Sequence, residues 1–287
     1  MHDLNLGIAC KIAGWEHLAQ RTYSFAACKE SAAAFRVNIE RVNGLLMLPG
    51  YAFESGGEWQ IAVKGVADRY FGKKLPSDQE FEEKRQEIAA IANEARKRAL
   101  SKRSPESSMK VFYTACYNIE VFAYDFPRLH GWLHDIFKSV IIQSWTAFEV
   151  LAEDLNCGAR EKHSDCFPPS VLTGKRYTFR RLEALYKSFE RAFCDDAGIN
   201  AVVSSREIKA LAVLRHLLIH KGGVVDKVFL DQCLEKPVVQ DFSMFGLGRE
   251  VTINGEMVRS LVDPVIKRGY ELIQRTDNWM IKHKPTK

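Results

Sequence analysis

One arginine and two histidines stand in the apolar stretch Leu211–Asp226, and they are the side chains best suited to acid–base chemistry. A histidine that titrates near neutrality can take a proton from a ribose 2′-hydroxyl or give one to a leaving oxygen. An arginine stays charged and presents a planar fork that can hold a phosphate and stabilise charge developing on it. Arg215 and His220 are therefore candidates for chemistry on a phosphodiester.

The residues around this group predict a helix that ends at two glycines. Ser204 and Glu207 have the spacing of a capping box and predict its start. Apolar residues then recur at three- and four-residue steps, at Ile208, Leu211, Ala212, Leu218 and Ile219. Gly222 and Gly223 supply the backbone freedom that a helix C-terminus prefers. His220 would lie in the last turn, where the helix dipole favours an imidazolium.

Helical spacing sets a condition on any site that uses both residues. Five residues turn about 140° around a straight helix, so Arg215 and His220 do not share a face. A shared site requires the chain to loosen at Lys221 and Gly222, or a second subunit to complete it.

Two other interpretations stay open. The arginine and the histidines can simply border the buried stripe, with their polar ends in water. His216 and His220 also have the spacing of two zinc ligands, but Leu217 stands where a zinc hydrolase carries its glutamate. A structural zinc site would need partners such as His163 and Cys166, and no Cys-x-x-Cys pair is present.

The stretch Arg215-His216-x-x-x-His220 resembles the R-x4-6-H motif of HEPN domains, helical domains found in many prokaryotic toxin and phage-defence ribonucleases. The family usually carries a polar residue after the arginine, and His216 fits. The continuation Lys221–Asp226, with its two glycines, is also similar to bacterial members. Residues 143–155, which include a Phe-Glu pair, resemble the first long helix of such domains.

This resemblance implies a fold, an activity and partners. Arg215 and His220 would be the catalytic pair, with His216 as polar support. From the residues themselves, Glu149 either orients Arg215 by a charge-assisted hydrogen bond or lies at the edge of the bundle. The family implies metal-independent cleavage of RNA without a cofactor, by a homodimer whose two motifs face one cleft. It also suggests a toxin or phage-defence effector, for which a neutralising antitoxin protein is a candidate partner that the sequence itself does not identify. Many members are instead inactive modules that bind a nucleotide, RNA or a protein.

Composition is compatible with these expectations without requiring them. The chain has 287 residues, 46% of them hydrophobic, and a net charge of +5, which permits a phosphate-rich partner. No apolar run approaches the roughly 18 residues of a membrane span, and no signal peptide is recognised at the N-terminus. Seven cysteines without tight pairing suit reduced thiols, so we expect a cytoplasmic protein with no membrane association.

The hydrophobic pattern predicts a mostly α protein: an antiparallel bundle over 128–287, additional helices over 1–127 of unknown role, and at most one short β element. The resemblance implies that the bundle is HEPN-like. We expect Pro49-Gly50 and Ser55-Gly56-Gly57 to interrupt the N-terminal helices, and residues 101–108 to form a linker.

In the C-terminal part, the pattern predicts a helix from Arg128 to Leu155 that stops at Asn156, and another from Thr178 to Phe193. A long loop follows over 224–248, then a short strand at Val251 and Ile253. The last helix begins at Glu256, or at Pro264 with Asp263 as its cap.

Basic side chains outside the motif are candidates for contact with an RNA backbone. They are Lys221, at the end of the motif helix, and a cluster at Lys175, Arg176, Arg180 and Arg181. The leading hypothesis from the sequence is a dimeric, metal-independent endoribonuclease. The alternatives are an inactive HEPN-like binding module, or a helical interaction protein in which the motif occurs by chance.

Overall fold

The structure, a computed structural model, describes residues 5–10, 16–71, 78–101, 104–125, 127–172, 182–193, 196–235 and 246–285. Its helices are α1 (Leu6–Ala9), α2 (Glu16–Ala19), α3 (Ala26–Phe71), α4 (Asp78–Ser101), α5 (Pro105–Asp125), α6 (Pro127–Lys162), α7 (Pro169–Leu172), α8 (Leu182–Ala192), α9 (Ala197–Val203), α10 (Arg206–Lys221), α11 (Lys227–Glu235) and α12 (Gly255–His283). The predicted mostly helical fold is confirmed.

The chain divides into two compact units. The first comprises residues 1–46 and 131–287, and the second residues 47–130. The first unit therefore joins the start of the chain to its C-terminal part, whereas the sequence analysis placed residues 1–127 together. α3 and α6 each have residues in both units.

Helix α12 forms the centre of the first unit, where it packs against α1, α9 and α10. Gly269 lets the ring of Phe35 approach the α12 backbone, because a Cβ there would lie 2.4 Å from that ring. The neighbouring Tyr270 packs edge-on against Phe35 with ring centroids 5.3 Å apart. Leu151 of α6 reaches the same glycine, so α3, α6 and α12 share one buried core.

A carboxylate near the end of α12 caps the start of α3. Asp277 accepts hydrogen bonds from the backbone N–H of Ser24, at 2.9 Å to each of its oxygens, and from that of Phe25, at 2.9 Å. Its side chain is buried. These amides precede the first turn of α3 and have no partner within the helix, so the cap fixes where α3 begins.

In the second unit, α3 continues through Pro49, so the predicted break there is wrong. Pro49 and Gly50 are buried, and a Cβ on Gly50 would lie 2.5 Å from the ring of Phe112 on α5. Packing against that ring therefore explains the glycine better than a chain break does. The turn expected at 55–57 is also helical.

Three other boundaries differ from the sequence predictions. Helix α6 passes the expected stop at Asn156, whose buried side chain donates to the Ser188 carbonyl at 3.4 Å, and continues to Lys162. The expected linker is shorter, because α5 begins at Pro105 with the Ser104 hydroxyl accepting from the Ser107 amide at 3.2 Å. The last helix begins at Gly255, so Pro264 lies inside it and Asp263 is not its cap.

The segment expected to be a long loop contains α11. The predicted strand at Val251 and Ile253 is not formed; within the described residues a single antiparallel bridge joins Val224 to Glu250. The Val225 amide donates to the Arg249 carbonyl at 2.9 Å, and the Val251 amide to the Gly223 carbonyl at 2.9 Å. This bridge ties the end of the motif helix to the segment before α12. None of the helices described here combines the length and apolar character needed to cross a bilayer.

Candidate functional site

The motif residues lie on α10, a regular helix closed by glycine. Ser205, one residue later than predicted, occupies the N-cap position, while Ser204 ends α9. Glu207 faces Arg268 of α12, with 3.4 Å between Oε1 and Nη2, rather than closing a capping box. Gly222 has a φ of 60°, and the amides of Gly222 and Gly223 both donate to the Leu217 carbonyl. The predicted stop at the two glycines is confirmed.

Because α10 stays helical through Lys221, the chain does not loosen where a single-chain site would require it. Arg215 and His220 therefore lie about 140° apart around the helix axis. The structure places them on one helix and on different faces of it. Of the two conditions set by the sequence, only completion of the site by a second subunit remains.

Arg215 faces α6. Its side chain is half-buried, and its Nε atom is enclosed without a hydrogen-bond partner among the described residues. Glu149, on α6, lies close enough for the two charges to interact. Burial raises the pKa of Glu149, while the Arg215 guanidinium and a hydrogen bond from Trp145 oppose that rise. Glu149 therefore lies near the arginine, and its role in orienting Arg215 stays a prediction.

The two histidines form a pair on the exposed side of α10. Their ring centroids are 4.5 Å apart with an interplanar angle of 47°, and both side chains are exposed. Partial desolvation, the adjacent His220 and the charge of Arg215 lower the pKa of His216. His216 is therefore neutral over a wider pH range than an ordinary histidine, and it can accept or donate a hydrogen bond to its neighbour.

An acidic residue that the sequence analysis did not select joins this group. Asp226 accepts a hydrogen bond from the Phe229 amide at 2.8 Å and so caps the start of α11. It also pairs with Lys221 at 3.3 Å. The Phe229 amide and the Lys221 ammonium hold the pKa of Asp226 below its usual range. Its position directly before a nine-residue helix was the available signal, which was missed because α11 was assigned to a loop.

A pocket of about 230 Å³ lies between the end of α10 and α11. Its polar residues are His216, Lys221, Asp226 and Gln232, and its apolar residues are Val213, Leu217, Val228 and Phe229. Neither Arg215 nor His220 is among its lining residues. The pocket can hold a small polar group beside an apolar one, with a cation and a neutral imidazole at its edge.

Large apolar side chains are exposed around the same helix end. Ile219 is 42% exposed and Val224 is 44% exposed. Val228, on the pocket wall, is 57% exposed, and Leu247, next to the β bridge, is 66% exposed. An apolar surface beside charged and polar groups is typical of a face that meets another molecule.

Other candidate residues do not join the site. His163 packs edge-on against Phe25 with ring centroids 4.8 Å apart, and the Cys166 thiol donates to the Met280 carbonyl at 3.7 Å. Among the described residues, no three or more His, Cys, Asp or Glu side chains converge as a metal-binding group would. The predicted basic cluster, Lys175, Arg176, Arg180 and Arg181, lies outside the described residues.

Comparison of the chain with protein-family models, with curated proteins and with solved structures finds no match.

Proposed function

We propose that the chain is a metal-independent endoribonuclease of HEPN type that acts as a homodimer. The observation that carries the proposal is the arrangement on α10: a half-buried, charge-supported Arg215 and an exposed His216–His220 pair at the end of one capped helix. The histidines are accessible to a substrate, and the arginine lies near the carboxylate of Glu149. Such a protein would meet its RNA in the cytoplasm.

In the proposed reaction, His220 serves as general base or acid on the 2′-hydroxyl route to a cyclic phosphate. Arg215 holds the scissile phosphate and stabilises the charge that develops on its oxygens. His216, kept neutral by its surroundings, holds the neighbouring imidazole through the 4.5 Å contact. Lys221, also exposed, adds a positive charge near the same helix end for the RNA backbone.

A second copy of the chain would satisfy the condition that helical spacing sets on a site using both Arg215 and His220. Because Arg215 and His220 point to different sides of α10, each complete site would take the arginine of one copy and the histidine of the other. The exposed side chains of Ile219, Val224, Val228 and Leu247 offer an apolar surface for such a contact.

The first test is RNA cleavage in EDTA by the wild type, His220→Ala and a matched control, His283→Ala. His283 is also an exposed histidine in the last turn of a helix, α12. Fragments ending in 2′,3′-cyclic phosphate from the wild type and the control, and none from His220→Ala, would support the proposal. Cleavage abolished by EDTA, or retained by His220→Ala, would refute the mechanism.

The second test asks whether the site is shared between copies. Arg215→Ala and His220→Ala are mixed after each has been shown to be inactive. If each site uses one residue from each copy, random exchange of subunits makes about half of the dimers mixed, and each mixed dimer has one intact site of two. The mixture then has about one quarter of the wild-type number of intact sites. If both residues act within one copy, the mixture stays inactive.

The second candidate is an inactive HEPN-like module that binds a nucleotide, RNA or a partner protein. It is favoured by the half-burial of Arg215, its position next to Glu149, and its separation from the pocket beside His216. In that case Arg215 serves to balance the charge of Glu149. Glu149→Gln combined with Arg215→Ala would then fold normally and bind as the wild type does.

The resemblance also implies a toxin or phage-defence effector with a neutralising antitoxin. Growth arrest on expression of the wild type, absent for His220→Ala, is the result expected of that role. Growth unaffected by a cleavage-competent wild type would argue against it.

A further inference from the structure

A second pocket lies in the first unit, at the start of α3. It has a volume of about 440 Å³, within the range of about 300–1,000 Å³ common for small-molecule sites. One wall is the segment before α3, with Arg21 and Tyr23, and the other is a face of α3 itself. None of these residues belongs to the site proposed on α10.

The face of α3 is built by helical spacing. Lys29, Ala32, Ala33 and Arg36 lie three and four residues apart, so they share one side of the helix. The two alanines leave space between the long cationic side chains, and that space is the pocket. Arg21 supplies a third positive charge from the opposite wall.

The charges in this pocket are mostly uncompensated. Arg36 forms an exposed ion pair with Glu40 at 2.8 Å, and the buried carboxylate of Asp277 lies near Tyr23 of the pocket wall. Arg21 and Lys29 are exposed and have no carboxylate partner among the residues that the structure describes. Three cations with these two carboxylates leave an excess of positive charge on a concave surface, which attracts an anion.

Two buried phenols lie beneath these cations. Tyr23 is 7% exposed and Tyr270 is fully buried, and neither hydroxyl has a hydrogen-bond partner in the described part of the chain. Burial raises the pKa of each to about 12, while Arg21 acts against that rise at Tyr23 and Arg36 at Tyr270. Both hydroxyls therefore stay protonated and neutral, and each lies near a guanidinium of the pocket. Their oxygens are shielded from solvent, so the phenols offset none of the positive charge of the pocket.

We propose that this pocket binds a small phosphorylated molecule, whose phosphate lies between Arg21, Lys29 and Arg36. Guanidinium groups recognise phosphate with paired hydrogen bonds, and the ammonium adds a compact charge. The methyl groups of Ala32 and Ala33 provide an apolar surface for the rest of the molecule. The proposal does not depend on ribonuclease activity.

The test titrates the full chain calorimetrically with inorganic pyrophosphate and, separately, with adenosine monophosphate. Saturable binding of either probe to one site is expected. The variant Arg21→Gln/Lys29→Gln should bind at least about tenfold more weakly, since it loses two charge-assisted contacts. Lys187→Gln is the matched control, because Lys187 is an exposed cation of the same unit on α8, outside the pocket.

A second variant tests the shape of the pocket rather than its charge. Ala33 is exposed on α3, so Ala33→Leu should fold normally while its side chain fills the space between the cations. It should abolish binding although every charge remains.

Three results would overturn the proposal. The first is the absence of saturable binding by either probe. The second is equal binding by the wild type and Ala33→Leu, which would indicate attraction to surface charge alone. The third is equal weakening by Lys187→Gln. If short single-stranded RNA binds and its binding depends on the same cations, while the small probes do not bind, the surface is assigned to nucleic acid instead.

Discussion

Removal of the Asp277 carboxylate should destabilise the first unit, because it removes the cap of α3. This buried side chain accepts three contacts of 2.9 Å from two backbone amides, those of Ser24 and Phe25. Hydrogen bonds to a charged group contribute about 1.5–3 kcal/mol each. Taking one such bond for each amide, we expect Asp277→Ala to cost about 3–6 kcal/mol of the free energy of unfolding.

The variant Asp277→Asn measures the contribution of the negative charge, because asparagine has nearly the same shape as aspartate. It keeps one carbonyl oxygen for the amides but loses the negative charge and one acceptor, so we expect a loss of about 1.5–3 kcal/mol. The adjacent Asn278 is the matched control, because its exposed side chain contacts only the Gln274 side chain, at 3.3 Å, in the described hydrogen bonds. Asn278→Ala should change the free energy by no more than about 0.5 kcal/mol.

The assay combines urea unfolding with hydrogen exchange of the segment around Ser24 and Phe25. Exchange is needed because a chain with two compact units need not unfold in one step. In both Asp277 variants, the amides of Ser24 and Phe25 should lose protection from hydrogen exchange before the amides of α12 do. Unchanged protection, or an equal loss of stability in Asn278→Ala, would refute the assignment of Asp277 as the cap of α3.

Three further predictions concern the core and the arginine site. Gly269→Ala should destabilise the first unit by about 1–3 kcal/mol, because the added Cβ would lie 2.4 Å from a buried phenylalanine ring; Gly44→Ala, also in a helix but with open space around its Cβ, should stabilise it by about 0.5–1 kcal/mol in the same unfolding experiment. The pKa of Glu149 is raised in the folded protein, so ionisation of this carboxyl group lowers the free energy of unfolding as pH rises through the carboxyl range. Glu149→Gln should therefore stabilise the protein at neutral pH but not at acidic pH. An equal change in stability at both pH values would contradict this. Arg215→Ala should raise the pKa of both Glu149 and His216 in NMR titrations, since its charge lowers each of them, and unchanged midpoints would show that the guanidinium lies elsewhere.

Local sequence patterns predicted the motif helix well. The three- and four-residue recurrence of apolar side chains and the pair of glycines locate α10 and its end, because both signals act within a few residues of one another. The start of the helix was placed one residue early, since Ser204 and Ser205 are equally good caps by residue type. The choice between them depends on where α9 ends.

Patterns that usually break a helix were misleading where tertiary packing is strong. Pro49, Gly50 and Asn156 all lie inside long helices. Gly50 is needed for the approach of the Phe112 ring, and Asn156 has a buried hydrogen bond to Ser188. A glycine in a helix interior costs about 1 kcal/mol relative to alanine, so the burial of an aromatic ring, about 1.5–3 kcal/mol, outweighs it. A proline costs about 3 kcal/mol, so Pro49 needs the packing of more than one side chain to offset it.

The sequence by itself determined the helical class, the chemistry available at Arg215, His216 and His220, and the helix on which they lie. Those features follow from residue type and from spacing along a few turns. Only the tertiary structure decided that Glu149 faces Arg215, that Asp226 joins the histidine pair, and that Asp277 caps a helix at the other end of the chain. Each of these contacts joins residues on different elements, and their meeting depends on how the whole core packs, which no local pattern records.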